Sequence, residues 1–325
     1  MAEQKRLSIV ITSCTTERIK DIFELLDSIK DQTYPQVETI FVAEKTHELY
    51  DQVHAYAKNN NLSNLRLIFN DTEFGLSASR NKGINEATGE IIAFVDDDTI
   101  LYPDWAEEMI NAYSEDSIIG VTGPAFPLWE NETMAWFPEE FYWIVSCTSW
   151  NNWKTAKTVR NAWGMNMSFR KAVFEECGGF SNEYGFHKGP MAEDNEFSLR
   201  VRKQTGKSIM YSPNVKVWHK VYTYRLTGDF IKKRSMWIGY TRRIMRTVCK
   251  DEEMDTDLLQ TENQLLKRIA VNLLPLILKG FFENRVMAWR RLAITTTVLF
   301  HVTIGYYVPF LTPFDKSKQP IGGNK

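Results

Sequence analysis

The stretch Gly89-Glu90-Ile91-Ile92-Ala93-Phe94-Val95-Asp96-Asp97-Asp98-Thr99 decides the fold class, because it drives an apolar strand straight into three consecutive carboxylates. The β-branched and aromatic residues from Ile91 to Val95 predict a buried strand. In open α/β sheets the carboxyl end of such a strand opens onto the crevice where ligands bind. Three acids there repel one another and raise their own pKa values unless a cation or a cluster of donors neutralises them. Asp96 and Asp98, two apart, can face one side while Asp97 turns away. Hard oxygen ligands of this kind favour Mg²⁺ or Mn²⁺, usually shared with a phosphate. The plainer alternative is an acidic turn with solvated side chains.

Outward from this stretch, Leu7 to Ser13 reads as a first buried strand and the periodic segment Glu17 to Lys30 as a helix that ends before Tyr34-Pro35. Glu38 to Ala43 is a second strand, 47–59 a helix, Leu65 to Phe69 a third strand and Ser77 to Ala87 a helix. Glu90 to Val95 then follows as the fourth strand. This alternation predicts a mostly parallel sheet flanked by helices, with right-handed crossovers. Beyond Pro103 a helix runs to Ser114, and Ile118 to Thr122 is strand-like. Gly164 to Arg170 is a strand or turn, followed by a helix to Cys177 and the turn Gly178-Gly179-Phe180. Residues 193–205 open a helix with Glu193 and Asp194, acids that the helix dipole alone would favour there.

The 325 residues suffice for one large or two modest domains. With 39 basic against 41 acidic residues, overall charge offers nothing to a nucleic-acid partner. Cys14, Cys147, Cys177 and Cys249 lie far apart without a CxxC, so neither a zinc site nor a disulfide framework is expected. The charged start Met1-Ala2-Glu3-Gln4-Lys5-Arg6 does not look like a secretory signal. No GxGxxG follows the first strand, which argues against a dinucleotide dehydrogenase. Asp96-Asp97-Asp98-Thr99-Ile100 comes close to the loop of haloacid-dehalogenase-like phosphatases, but three strands precede it and the fifth position is Ile.

Residues 229–250 form a basic amphipathic helix when laid out at helical period. Phe230, Ile231, Trp237, Ile238, Ile244, Met245 and Val248 share one face, and Lys232, Arg242, Arg243 and Arg246 lie opposite. A lipid surface, a pyrophosphate or plain solvation would each account for the basic side. An acidic stretch, Asp251 to Asp257, follows. Leu292 to Phe310 holds 19 residues without an acid, Lys or Arg. As a helix it would reach about 28 Å against a bilayer core of about 30 Å, so spanning, interfacial and protein-buried readings all stay open. Arg285, Arg290 and Arg291 would set its N-terminal side on the cytosol.

Taken in order, Leu7 to Ser13, Gly75-Leu76-Ser77-Ala78-Ser79-Arg80-Asn81-Lys82-Gly83, Gly89 to Asp98, Gly178-Gly179-Phe180 and Glu193-Asp194 resemble the family 2 glycosyltransferases over roughly residues 7–240. That resemblance implies an α/β GT-A fold with a nucleotide sugar over the sheet. It places Thr12 and Ser13 on the nucleoside, Glu44 on base or ribose, and Asp71 at a further base contact. Arg80 is placed to meet the diphosphate. Asp96, with Asp97 beside it in the donor site, touches ribose or metal, and Asp98 coordinates a metal, Mn²⁺ or Mg²⁺. His219 resembles the late metal-ligand histidine of such enzymes. Asp194 is the candidate base, with Glu193 orienting acceptor or base. Arg234-x-x-Trp237 supplies a phosphate candidate in Arg234.

Chemistry agrees with these placements. Breaking a sugar–phosphate bond leaves negative charge that a divalent cation and an arginine stabilise, and the acceptor hydroxyl needs a positioned base. One base with inversion at the anomeric carbon fits a single displacement, as the resemblance implies. Trp129, Trp136, Phe137, Pro138, Glu139, Glu140, Phe141, Tyr142 and Trp143 lie where these enzymes build the acceptor side, to stack on a sugar or hold a prenyl chain, with core packing as the alternative. The segment Phe137 to Cys147, with the hydrophobic C-terminus, is similar to archaeal enzymes that extend a dolichyl-phosphate-linked sugar with glucuronic acid. A glucuronosyl donor would need a cation at its carboxylate, for which Arg160 and Arg170 are candidates.

The expectation is therefore a metal-dependent inverting transferase using a nucleotide sugar, UDP-linked, and a lipid-linked sugar or growing glycan, at the cytosolic membrane face. Its domain plan is a transferase domain over 1–228 (nucleotide-binding half 1–100, acceptor half 101–228), the basic helix 229–250, a helical hydrophobic membrane-associated extension over 251–311 and a flexible tail, 312–325. A polysaccharide-building transferase with a non-lipid acceptor and an inactive nucleotide-sugar-binding scaffold are the alternatives.

Overall fold

The computed structural model describes residues 5–148, 154–183, 192–248 and 263–308. The acidic stretch 251–257, Cys249 and the tail 312–325 lie outside the described residues. The chain alternates as expected through β1 (Leu7–Ser13), α1 (Ile19–Lys30), β2 (Val37–Glu44), α2 (His47–Asn59), β3 (Leu65–Asn70), α3 (Leu76–Glu86) and β4 (Ile91–Val95). These four strands are parallel and stand in the order β3-β2-β1-β4. Their register aligns the carboxyl ends: Ser13 opposes Ala43, Glu44 opposes Asn70 and Ile11 opposes Val95. Side chains that follow each strand therefore emerge along one edge.

Then come β5 (Thr99–Leu101), α4 (Trp105–Asn111), β6 (Ile118–Thr122), β7 (Ala125–Trp129), β8 (Lys157–Val159), β9 (Asn166–Arg170), α5 (Lys171–Cys177), α6 (Glu193–Thr205), β10 (Ser208–Tyr211), β11 (Val217–Val221) and α7 (Gly228–Val248). The large sheet runs β3-β2-β1-β4-β9-β6-β10-β8, and β5-β11-β7 form a small second sheet. The ambiguous segment before Arg170 is thus a strand, β9, inserted antiparallel between β4 and β6. Period-two alternation sends Ile9, Ile11 and Phe41 to one face with Leu25 and Trp105, and Val10, Ile40 and Phe94 to the other with Phe169 and Phe197.

Two close approaches set the layer spacing. A Cβ on Gly83 would sit 2.4 Å from Val10, so α3 lies tight on β1. A Cβ on Gly123 would sit 1.9 Å from the Val215 carbonyl oxygen, a backbone atom that cannot swing aside. Gly123→Ala is accordingly expected to lower Tm by about 5 °C or more, as overpacking against backbone does. A melting curve superimposable on that of the unsubstituted chain would refute this approach.

The chain divides into two compact units. The first comprises Met1–Phe126, Asn152–Gly185 and Glu193–His219, and the second Pro127–Asn151, Phe186–Ala192 and Lys220–Lys325. The second has its own core of Phe137, Phe141, Ile144, Ile231, Leu273, Ile277 and Val298. Much of the aromatic segment is therefore packing: Phe137 and Phe141 are buried, and Trp129 and Tyr142 meet edge to face with centroids 5.6 Å apart. Of the apolar face expected for the basic helix α7, Ile231, Trp237 and Met245 are buried and Phe230, Ile238 and Ile244 half-buried.

Most of the run Leu292 to Phe310 lies in the helix Arg285–Tyr307, which packs along α7. The approach is through glycines: a Cβ on Gly239 would lie 2.1 Å from the Val302 carbonyl oxygen, and one on Gly305 2.0 Å from that of Met236. Among the described residues no helix is long and apolar enough to cross a membrane, so the spanning reading of the extension is unsupported. Four threonines and His301 dilute its hydropathy.

Candidate active site

The acidic loop hangs from the end of β4. The Asp96 backbone carbonyl closes a tight turn by accepting from the Thr99 backbone N–H at 3.2 Å and the Thr99 hydroxyl at 2.7 Å, which turns the chain into β5. β11 pairs antiparallel with β5 and sets His219 opposite Thr99. Asp96, Asp98 and His219 thereby offer one ligand atom each, all within 4.8 Å of one another. His219 Nε2 lies 3.3 Å from Asp98 Oδ1, and both side chains are 1 % exposed. Burial raises the Asp96 carboxyl, Arg80 opposes that, and the neighbouring Asp98 charge adds to it. Burial and then Asp98 raise Asp97 as well. Two mutually repelling carboxylates and one imidazole fit a small divalent cation such as Mn²⁺ or Mg²⁺.

Asp97 turns away from that triad. It accepts from the Ser13 hydroxyl at 2.6 Å and from Arg18 Nη1 at 2.9 Å, and the same guanidinium lies 3.3 Å from Asp98. Ser13 and Asp97 thus brace the loop against β1. Arg18 belongs to this cluster without having been singled out in the sequence. The available signal was its place just before α1, where a cation opposes the helix dipole and so needs nearby acids.

Glu44, at the end of β2, also serves the scaffold. Its Oε2 accepts from the Gly75 backbone N–H and the Ser79 hydroxyl, both at 2.8 Å, and Oε1 lies 3.0 Å from Lys45 Nζ. Burial pushes its carboxyl up, but those bonds and the Lys45 charge outweigh burial and hold it below the ordinary value. It caps the amino end of α3, where Gly75 takes φ 113°. Thr12 is half-buried near the end of β1, and Asp71 is exposed just after β3. Both lie along the carboxyl edge of the parallel strands. Arg234 sits in the second unit with its guanidinium 5.0 Å from the Trp237 ring centroid.

Arg80, on α3, joins the cluster of Asp96, Asp98 and His219 to the two acids of α6. The side chain is only 3 % exposed, with Nη1 donating to Glu193 Oε1 at 2.8 Å. Nη2 reaches the Gly164 carbonyl at 3.2 Å and Asp96 Oδ1 at 3.4 Å. The guanidinium also lies within 6 Å of the Phe94 and Phe180 ring centroids, at 5.8 and 5.6 Å. Its two terminal nitrogens are therefore engaged by the protein. Asp194 Oδ2 accepts from the Gly164 N–H at 2.9 Å and Oδ1 from the Asn195 N–H at 2.7 Å. Burial first, and the Glu193 charge second, push its pKa up to about 6. A carboxylate with that value is ionised at neutral pH yet basic enough to take a proton.

Asn81, next to Arg80, grips the turn before α6. Its Nδ2 donates to the Phe180 carbonyl at 2.7 Å and its Oδ1 accepts from the Phe180 N–H at 2.8 Å. All of these residues lie in the first unit. Arg170, a candidate for a sugar carboxylate, pairs in register with Ile91 at the start of β4 and donates to the Ile118 and Glu115 carbonyls. The acids stand at the other end of that strand, so Arg170 is not at the site. Arg160 Nε donates to Asn161 Oδ1 at 3.2 Å.

The family model of glycosyl transferase family 2 matches residues 8–178, more than half of the chain. The chain belongs to glycosyl transferase family 2. Within it, the glucosyl-dolichyl phosphate glucuronosyltransferase of Haloferax volcanii is 31 % identical over 313 residues, covering 95 % of this chain and 97 % of that protein. Glycosyltransferase AglE of the same organism is 27 % identical over 165 residues, covering 50 % of this chain and 52 % of AglE. Among solved structures, the mannosyltransferase PcManGT of Pyrobaculum calidifontis, in complex with GDP-Man and Mn²⁺, matches with a TM-score of 0.63 at 15 % identity, over 94 % of this chain and 88 % of that one. S. aureus TarS 1–349 in complex with UDP matches with a TM-score of 0.51 at 17 % identity, over 74 % of this chain and 70 % of that one. These likenesses show the fold of this family 2 member, an α/β fold of GT-A type. It is a glycosyltransferase.

Proposed function

We propose that this family 2 glycosyltransferase moves glucuronic acid, with inversion, from a UDP-linked donor to a dolichyl-phosphate-linked sugar at the cytoplasmic face of the membrane. The observation that carries the transfer chemistry is Arg80, one buried guanidinium between Asp96 of the metal triad and Glu193 beside Asp194. The choice of sugar and acceptor draws on the Haloferax relative, which matches nearly end to end. Asp96, Asp98 and His219 would hold Mn²⁺ or Mg²⁺. When bound, the ion supplies positive charge to the departing diphosphate. Asp194 takes the proton of the acceptor hydroxyl, held in place by the Gly164 and Asn195 N–H groups. Glu193 fixes Arg80, and through it the spacing of the base from the donor. Thr12 and Asp71 border the nucleoside along the strand edge.

The test is thermal stabilisation by a panel of nucleotides, each with Mn²⁺, Mg²⁺ or EDTA. UDP with a divalent ion is expected to stabilise the chain by about 2.7 kcal/mol at a hundredfold excess over Kd, with EDTA removing most of the gain. Asp98→Asn is expected to abolish the ion-dependent part. Transfer from UDP-glucuronate to glucosyl-dolichyl phosphate then tests the substrates. Stabilisation without any transfer would point to an inactive scaffold, and no stabilisation by any nucleoside diphosphate would overturn the donor assignment.

A further inference from the structure

The helix Arg285–Tyr307 buries Ala288, Thr295, Val298 and Gly305 on one side. On the opposite side Val286, Trp289, Phe300 and Tyr307 are 65, 61, 61 and 69 % exposed. The positions between them that continue the same stripe are Ala293, Thr296 and Thr303, also exposed and also uncharged. A solvated helix face normally carries charge at such positions. The preceding helix, Leu274–Glu283, and the turn before it add Val271 and Leu278, each 62 % exposed, and Phe282 at 93 %. Large apolar groups in contiguous exposed rows mark an interaction surface.

We infer that these two helices form a lipid-docking face, lying in the headgroup region of a bilayer with anionic lipids. Two observations point to a bilayer as the occupant. First, Thr296 Oγ1 donates to the Leu292 carbonyl at 3.0 Å and Thr303 Oγ1 to the Leu299 carbonyl at 2.8 Å. Threonines on other helices make such bonds too, as Thr205 does to the Val201 carbonyl on α6, but on an exposed face they leave no hydroxyl in need of water, which suits an apolar medium. Second, residues 263–308 contain six basic residues against the single acid Glu283; Arg268 pairs with Glu139 and Lys279 with Glu283, which leaves Lys267, Arg285, Arg290 and Arg291 for the headgroups. That imbalance complements anionic headgroups. Neither helix is long and apolar enough to cross a membrane, so the docking inferred here is in the interface plane.

The choice of a bilayer rests in part on the lipid-linked acceptor proposed above. Docking would bring the transferase to the surface from which a lipid-linked sugar is presented. The experiment is flotation of the full chain with vesicles of equal parts phosphatidylglycerol and phosphatidylcholine, without donor or acceptor. The chain is expected to float, and a Trp289→Glu, Phe300→Glu double variant to bind at least about tenfold more weakly. Both side chains are exposed and belong to the second unit, so the melting curve and the response to UDP should be unchanged. Failure of the unsubstituted chain to float, or a variant that floats equally well, overturns the proposal. So does a dimer that the double variant converts to monomer with flotation unaltered, because a second copy would then be the occupant. Flotation uses no sugar, so docking and the transfer reaction can fail separately.

Discussion

Asp194→Asn is expected to lower kcat by about 10² to 10⁴-fold while leaving UDP binding intact. The amide cannot accept the hydroxyl proton, yet its oxygen can still accept from the Gly164 N–H as the carboxylate does at 2.9 Å. The pH profile makes the assignment specific. With a pKa pushed up to about 6, the carboxylate loses its proton in the range where an enzyme is readily assayed. kcat/KM should therefore climb as pH rises toward that value and level off above it, and the residual activity of the variant should lack this limb. Stability runs the other way. The folded state holds the proton more tightly than an ordinary aspartate with pKa 3.8, so protons favour folding and stability falls as pH rises from about 4 to 6. Comparing Tm against pH for the unsubstituted chain and the variant reads that slope directly. Near-native turnover by Asp194→Asn would remove Asp194 as the base.

Arg80→Met is the second large effect. The substitution leaves Glu193, 7 % exposed, without its ion-pair partner, a loss that costs about 3 to 5 kcal/mol when one member of a buried pair is removed. It also removes a charge that holds the Asp194 pKa down, so the acid limb of kcat/KM should move to higher pH. A purely structural arginine would lower Tm without moving that limb. Arg80→Lys keeps the charge but not the fork that reaches Glu193, Gly164 and Asp96 together, so it should restore the limb more fully than the rate. A limb that stays in place in Arg80→Met would show that Arg80 does not tune the base.

The parallel half of the sheet was legible because its strands are short, apolar and separated by periodic helices, so local pattern suffices. β9 was ambiguous because nothing near Asn166 states that its partners are β4, some 70 residues earlier by number, and β6. Asp96 and Asp98 were found from their place after a buried strand and His219 through the family resemblance, and the three prove to be neighbours. Glu44 and Arg80 were also singled out through the resemblance, but their side chains face the protein. A carboxylate at a strand end reads the same whether its oxygens await a ribose or already cap a helix such as α3. Arg18 was missed for the converse reason, since a lone arginine carries no motif and only the fold places it against Asp97 and Asp98. Phe137 and Phe141 show that aromatic composition marks burial as readily as binding.

The insertion of β9 beside β4 bears on how this protein can be cut. All five residues of β4 are buried, and one of its two flanks is supplied by residues that follow it in the chain by more than half the length of the first unit's leading segment. A fragment ending after Leu101 would present that strand as an open edge, with unpaired N–H and C=O groups and apolar side chains on both faces. Such an edge recruits other copies of itself. The first four strands are therefore a sequence motif but not a separable piece of protein, and expression boundaries drawn after the acidic loop should yield aggregates rather than a nucleotide-binding domain.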